Sequence, residues 1–250
     1  MKYKTYIILC SMMLLVPIGV YAESRPNYVY DNADMISPTA EMEIEEYLRN
    51  LDANTSNEII IYTIESFTGH GITKDGMEIQ ERDMLANYIF NDYPLNGITG
   101  IGKAGKDNGV LILMSLEKDG AGGSMRIEVG RGLEGDITDG TAGEILDAYL
   151  VPARAEYLSS GIKNFDNAFY NTVIALSNAT DGTYVNPNTS SESDGLVLLI
   201  IFVIIIAIFI IAIASGGGSG GGYGGYSGGY SSGGGYSGGG GSSGGGGAGR

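Results

Sequence analysis

Between residues 107 and 139, oxygen-bearing side chains border two strand-like runs, each next to glycines. Asp107 and Asn108 precede Gly109 and the apolar run Val110-Leu111-Ile112-Leu113-Met114. Glu134, Asp136 and Asp139 follow Arg126-Ile127-Glu128-Val129, on a loop that begins Gly130-Arg131-Gly132-Leu133-Glu134-Gly135. Carboxylates and amide oxygens on sharply bent loops suit a hard divalent cation, Ca2+ or Mg2+. Antiparallel neighbours place the start of one strand beside the end of the next, so the two loops are expected to meet in one site. Asp31 and Asp34, on the approach to the first helix, are candidates to join it. Each acid alone reads equally well as a helix cap or a solvated turn residue; it is the cluster that favours metal.

Other chemistries fit less well. Residues 130–135 match the glycine spacing of a dinucleotide-binding loop, and the match follows a strand. Glu134 would then sit among the amides meant to hold a pyrophosphate, with Asp136 and Asp139 close behind. An anion would meet like charge, so no nucleotide cofactor is expected. Zinc lacks ligands, since His70 is the only histidine and Cys10 the only cysteine. His70 lies in Thr68-Gly69-His70-Gly71 and reads as a solvated loop residue. No nucleophile elbow accompanies it.

The elements that must position the acids read as follows. Ser37-Pro38 opens a helix, with Ile44, Leu48 and Leu51 on one face. Residues 58–64 form a strand of near-continuous apolarity, buried on both sides. A helix over about residues 75–90 follows, then the strands 109–116 and 125–129, joined through Lys118-Asp119-Gly120. Two helices close the domain, one over about 141–150, stopped before Pro152, and one over about 162–176. This order predicts an α/β fold, a small α/β/α sandwich around a central mixed sheet. It occupies residues 27–181 and continues into a polar linker at 182–195. Three Asn-X-Ser/Thr sequons, beginning at Asn54, Asn178 and Asn188, matter only in a cell that glycosylates secreted proteins.

The ends of the chain are of another kind. Lys2 and Lys4 precede an apolar run that closes in Val20-Tyr21-Ala22, the pattern of a signal peptide over residues 1–22. Cleavage there would leave no cysteine. Residues 196–214 are apolar without a charge or Pro, long enough at about 1.5 Å per residue to cross a ~30 Å bilayer core. One transmembrane helix is therefore expected, with the domain extracytoplasmic and the tail cytoplasmic. The tail, residues 215–250, is almost wholly Gly, Ser and Tyr, with Tyr223, Tyr226, Tyr230 and Tyr236 spaced along it; disorder is expected. All 29 acidic residues lie between Glu23 and Asp194, against 14 Lys and Arg in the whole chain. Such a field repels nucleic acid and anionic lipid.

Several of these segments together resemble the TPM domain family. Tyr28-Val29-Tyr30-Asp31-Asn32-Ala33-Asp34-Met35-Ile36-Ser37 is similar to its opening, and Glu58-Ile59-Ile60-Ile61-Tyr62-Thr63 to its first strand. Gly100-Ile101-Gly102 with Asp107-Asn108-Gly109-Val110-Leu111 is similar to its central motif. Arg126-Ile127-Glu128-Val129-Gly130, Gly132-Leu133-Glu134-Gly135 and Asp139 are similar to its most typical stretch. The resemblance implies an α/β/α sandwich that binds divalent cations, Ca2+ especially, on loops at one end of the sheet. It puts Asp31, Asp107, Glu134 and Asp139 on the acidic positions; Asp34, Asn108 and Asp136, offered by the loops themselves, are the weaker ligands. Lys106 beside Asp107 would lower the attraction for metal. Two functions follow as expectations: an accessory or interaction module engaging another envelope protein, or a metal-assisted acid phosphatase in which Arg126 or Arg131 pairs with the phosphate. Arg126 reads equally as a strand-surface charge.

Overall fold

Three expected elements form where their sequences call for them. The computed structural model describes residues 27–188 and 241–250. Ser37 caps helix α1 (Pro38–Thr55), accepting from the Ala40 N–H, and Pro38 occupies the first turn, where no N–H is needed. The helix stops at Ser56, which takes a left-handed φ of 63°. Strands β2 (Glu58–Ile64) and, later in the chain, β5 (Gly109–Ser115) are buried at every position. They pair in parallel from Glu58↔Gly109 to Ile64↔Ser115. A short strand that the sequence pattern does not announce, β1 (Val29–Asp31), adds parallel to β2, with Asp31 level with Thr63.

The segment between β2 and β5 differs from expectation. The predicted helix from about residue 75 begins only at α2 (Arg82–Asn91). Before it lies a small hairpin, β3 (Thr73–Lys74) and β4 (Met77–Glu78). Its turn is Asp75-Gly76, with φ of 55° and 79°. Asp-Gly favours the two-residue hairpin turn in which both residues have positive φ, and here it overrides the helical spacing.

Strand β6 (Met125–Gly130) pairs antiparallel with β5, as expected of hairpin partners. The chain then enters α3 (Asp139–Ile145). Pro152 does not stop the helical path. A wide π turn over Leu146–Leu150 comes first, in which the Val151 N–H bonds the Leu146 carbonyl five residues back. The wider turn eases the clash of the proline ring with the preceding carbonyls. Helix α4 (Val151–Ser160) follows, then α5 (Asp166–Thr180). Asp166 ties α5 to the start of α1, accepting from Ser37 N–H and Oγ, both at 2.7 Å.

The largest departure lies at the end of the chain. The tail to residue 250 is not without structure throughout: Ser243–Gly249 is a strand, β7, paired antiparallel with β6. It completes a five-stranded mixed sheet in the order β1-β2-β5-β6-β7. The fold is thus mixed α/β around a central mixed sheet. Asn87 and Asp83 of α2 reach Glu128 and Arg126 of β6. Because successive strand residues point to opposite faces, Ile127 and Val129 look the other way, and both are fully buried. Helix α1 packs on β2 and α5, and α3 on β7. Among the described residues no helix is long and apolar enough to cross a membrane. The expected signal peptide, the membrane helix at 196–214, the end of the linker and the tail up to residue 240 lie outside the described residues.

Candidate functional site

The two glycine-acid loops meet. The Gly132 N–H donates to the Asp107 carbonyl at 3.0 Å, so the loop after β6 lies directly on the loop before β5. A Cβ on Gly130 or Gly132 would collide with the carbonyls of Asp107 or Lys106, so these glycines serve close backbone approach. Asp107 itself takes a φ of 51°.

What the acids hold is another part of the chain. Asp107 Oδ1 accepts from the Ser242 N–H at 3.0 Å. Asp139 Oδ1 accepts from the Gly247 N–H at 2.7 Å. Glu134 lies alongside between them: a Cβ on Gly246 would fall 2.8 Å from Glu134 Oε1. The three carboxylates follow the chain from Ser242 into β7 as far as Gly247, a span of about 17 Å at the rise of an extended strand. Asp136 is exposed in the turn, its N–H bonded to the Leu133 carbonyl. Asn108 is buried and faces away. Its Oδ1 accepts from Lys103 N–H at 2.9 Å and its Nδ2 donates to the Ser56 carbonyl at 2.7 Å, locking the loop to the end of α1.

Asp31 and Asp34 do not join this group. Asp31 is level with Thr63, and Thr63 with Met114 near the far end of β5. Gly109, where the other loop begins, is five residues away along the strand, or about 17 Å. The Asp31 carboxylate is engaged locally: it accepts from Met35 N–H (3.1 Å), Ile36 N–H (2.8 Å) and Thr63 Oγ1 (2.5 Å). Asp34 is exposed, with a φ of 48°. The residues therefore do not fit one Ca2+ or Mg2+. They lie at two ends of the sheet, and two of them accept N–H groups from a strand between them. Among the described residues no three Asp, Glu, His or Cys side chains could hold a metal ion.

Apart from Arg126, the residues that complete the site are ones the sequence did not single out. Glu128 is fully buried on β6 and accepts from Ser243 Oγ at 2.5 Å, from Asn87 Nδ2 at 3.2 Å and from Arg126 Nε at 2.6 Å. Arg126 is not a surface charge: 12% of its side chain is exposed. It also donates to the Gly245 carbonyl at 3.0 Å. Asn91 Oδ1 accepts the Ser243 N–H at 2.9 Å. At the far end the Arg250 guanidinium grips Asp147 in a two-point pair, Nε–Oδ1 at 2.6 Å and Nη2–Oδ2 at 2.7 Å. That pair holds the Asp147 carboxyl below its usual value and raises the guanidinium. The Arg250 main chain continues the ladder, exchanging bonds with Met125 at 2.9 Å and accepting from the Ser124 N–H at 2.6 Å. A signal for Glu128 was present in the sequence, as a charge within an apolar strand. None was present for Asn91 or Asp147.

A second polar cleft lies at the carboxyl ends of β1 and β2. It is lined by Asn32, Tyr62, Glu65, Ser66, His70 and Tyr93. Burial and the neighbouring Tyr93 raise the Tyr62 hydroxyl above its usual range. His70 is held by its backbone surroundings, its Nε2 at 2.9 Å from the Ile79 carbonyl.

A parallel-then-antiparallel sheet of this order, with two glycine-acid loops meeting beside its last pair of strands, defines the class. The sequence model of the TPM domain family matches residues 29–179. The chain belongs to the TPM domain family. A solution structure of the N-terminal domain of a protein from P. gingivalis is similar at 21% identity and a TM-score of 0.41, covering 63% of this chain and 83% of that one. No curated protein matches the chain.

Proposed function

We propose that this protein is a membrane-anchored, extracytoplasmic binding or accessory module that serves another envelope protein, and that it is not an enzyme. One observation carries this reading. Asp107, Glu134, Asp139 and Arg126, the groups best placed in sequence for chemistry, are all engaged with or lie against the backbone of a neighbouring strand. Side chains arranged along a strand recognise main chain; they do not converge on a reacting atom. Since the residues do not fit a shared Ca2+ or Mg2+, no cation has a part in the proposal. Of the two arginines that the phosphatase alternative offers to a phosphate, Arg126 is already committed to Glu128 and the Gly245 carbonyl.

Purified full-length protein incubated with an aryl phosphate tests the reading. The expected result is no turnover above that of the Asp107→Ala variant. Turnover abolished by that substitution, in a protein that still folds, contradicts it.

A further inference from the structure

The last ten residues are bound as a ligand is bound. Strand addition gives affinity through main-chain bonds, and side-chain pockets along the edge give selectivity. Both are present at β6. The ladder supplies the first, from Ser243 opposite Gly130 to Gly249 opposite Arg126. Selectivity arises at five positions. Ser243 Oγ meets the buried Glu128 carboxylate at 2.5 Å. Gly247 has a φ of 122°, and a Cβ there would run into the Ile127 carbonyl. A Cβ on Gly249 would land on the Arg82 guanidinium, while between them the small Ala248 is buried. Arg250 ends the chain in the two-point pair with Asp147. Glycines chosen only for looseness would not need these partners. A serine, a glycine at 247 that no Cβ can replace, small residues at 248 and 249 and an arginine at 250 match this edge position by position.

We infer that Gly241–Arg250 is the built-in strand ligand of the β6 edge, and that these residues therefore stay on the same side of the membrane as the domain. A chain crossing the bilayer once at residues 196–214 would put the domain and residues 241–250 on opposite faces. A β-ladder cannot form across about 30 Å of hydrocarbon. The expected cytoplasmic placement of residues 241–250 gives way to one in which Arg250 lies beside Asp147. The strand-docking half of this inference stands without the membrane reading; the sidedness half rests on it.

Two arms test it on the full-length protein. In the first, amide hydrogen exchange is followed at Ser124 and Met125, whose N–H groups bond the Arg250 carbonyl. Gly247→Val and Arg250→Glu should each lose that protection, and Arg250→Glu combined with Asp147→Arg should regain it. The charge exchange keeps the arm decisive if Gly247→Val does not fold. Protection unchanged in Arg250→Glu overturns the docking. In the second, a membrane-impermeant maleimide is applied to intact cells carrying Gly240→Cys or, as reference, the exposed Asn50→Cys, each with Cys10→Ser. Equal labelling of the two supports the inference. Equal labelling only after permeabilisation leaves it standing and removes the extracytoplasmic placement instead. Labelling of Asn50→Cys from outside and of Gly240→Cys only after permeabilisation overturns it.

Discussion

Asp31 and Asp107 are the same residue type at the edges of strands, Asp31 as the last residue of β1 and Asp107 two residues before β5, yet they do different work. Asp31 closes its own loop, with partners four and five residues on and one on the adjacent strand. Asp107 holds the N–H of Ser242, 135 residues further along the chain. A carboxylate that serves its own turn is part of the fold's foundation. One that serves a distant strand is part of a binding edge, and the domain can lose it without losing its core.

That contrast can be broken or sharpened by substitution. The largest effect is expected at Glu128, which belongs to both regimes. It is fully buried, pairs with Arg126 and accepts from Ser243. Glu128→Ala would leave the Arg126 guanidinium buried without its partner, and a loss of about 3 kcal/mol in urea unfolding is expected. Asp31→Ala should cost about 2 kcal/mol by the same measurement, since two backbone N–H groups and the Thr63 hydroxyl lose a charged acceptor. Asp107→Ala should cost less than about 1 kcal/mol and show chiefly as faster amide exchange at Ser242. Equal losses for Asp31→Ala and Asp107→Ala would erase the distinction.

Acid sharpens it further. The Asp147 carboxyl is depressed by its bond to Arg250. A depressed carboxyl contributes stability that is present above its unfolded value, about 3.9, and that fades as pH falls through the lower folded value. The far end of β7 should therefore stay docked through mild acid and fray only below the ordinary aspartate range, seen as faster exchange at Ser124. Docking already lost near pH 5 would argue against the pair. The smallest effect is expected at Glu78, which accepts from the N–H groups of Gly69 and Gly71 and is lowered by them to about 2. The amide shifts of those two glycines should titrate only at that acidity, with the rest of the domain unmoved.

Much of the domain was legible in the sequence because its information is local. Ser37-Pro38 announces α1, the apolar runs announce β2 and β5, and hairpin geometry brings Asp107 beside Gly132. The candidate site was half legible for the same reason: the loops meet as expected, but what they hold could not be read. A strand of Ser, Gly and Ala has no hydrophobic alternation and no propensity of its own. Ser243–Gly249 is extended because β6, Glu128 and Asp147 make it so. The Asp75-Gly76 turn was legible, yet the helix expected over residues 75–90 masked it. Pro152 misled for a different reason. A rule about single residues did not foresee the wide turn that precedes it.

In the proposed reading these acids hold a strand and do not share a cation. NMR of the full-length protein in micelles, followed while Ca2+ is raised to about 1 mM, the range of extracellular calcium modules, tests it most directly. Slowly exchanging amides are expected at Ser242 and Gly247, and neither these nor the amides of Asp107, Glu134 and Asp139 should move. Freely exchanging amides at Ser242 and Gly247, with Asp107, Glu134 and Asp139 shifting together on calcium, would contradict it.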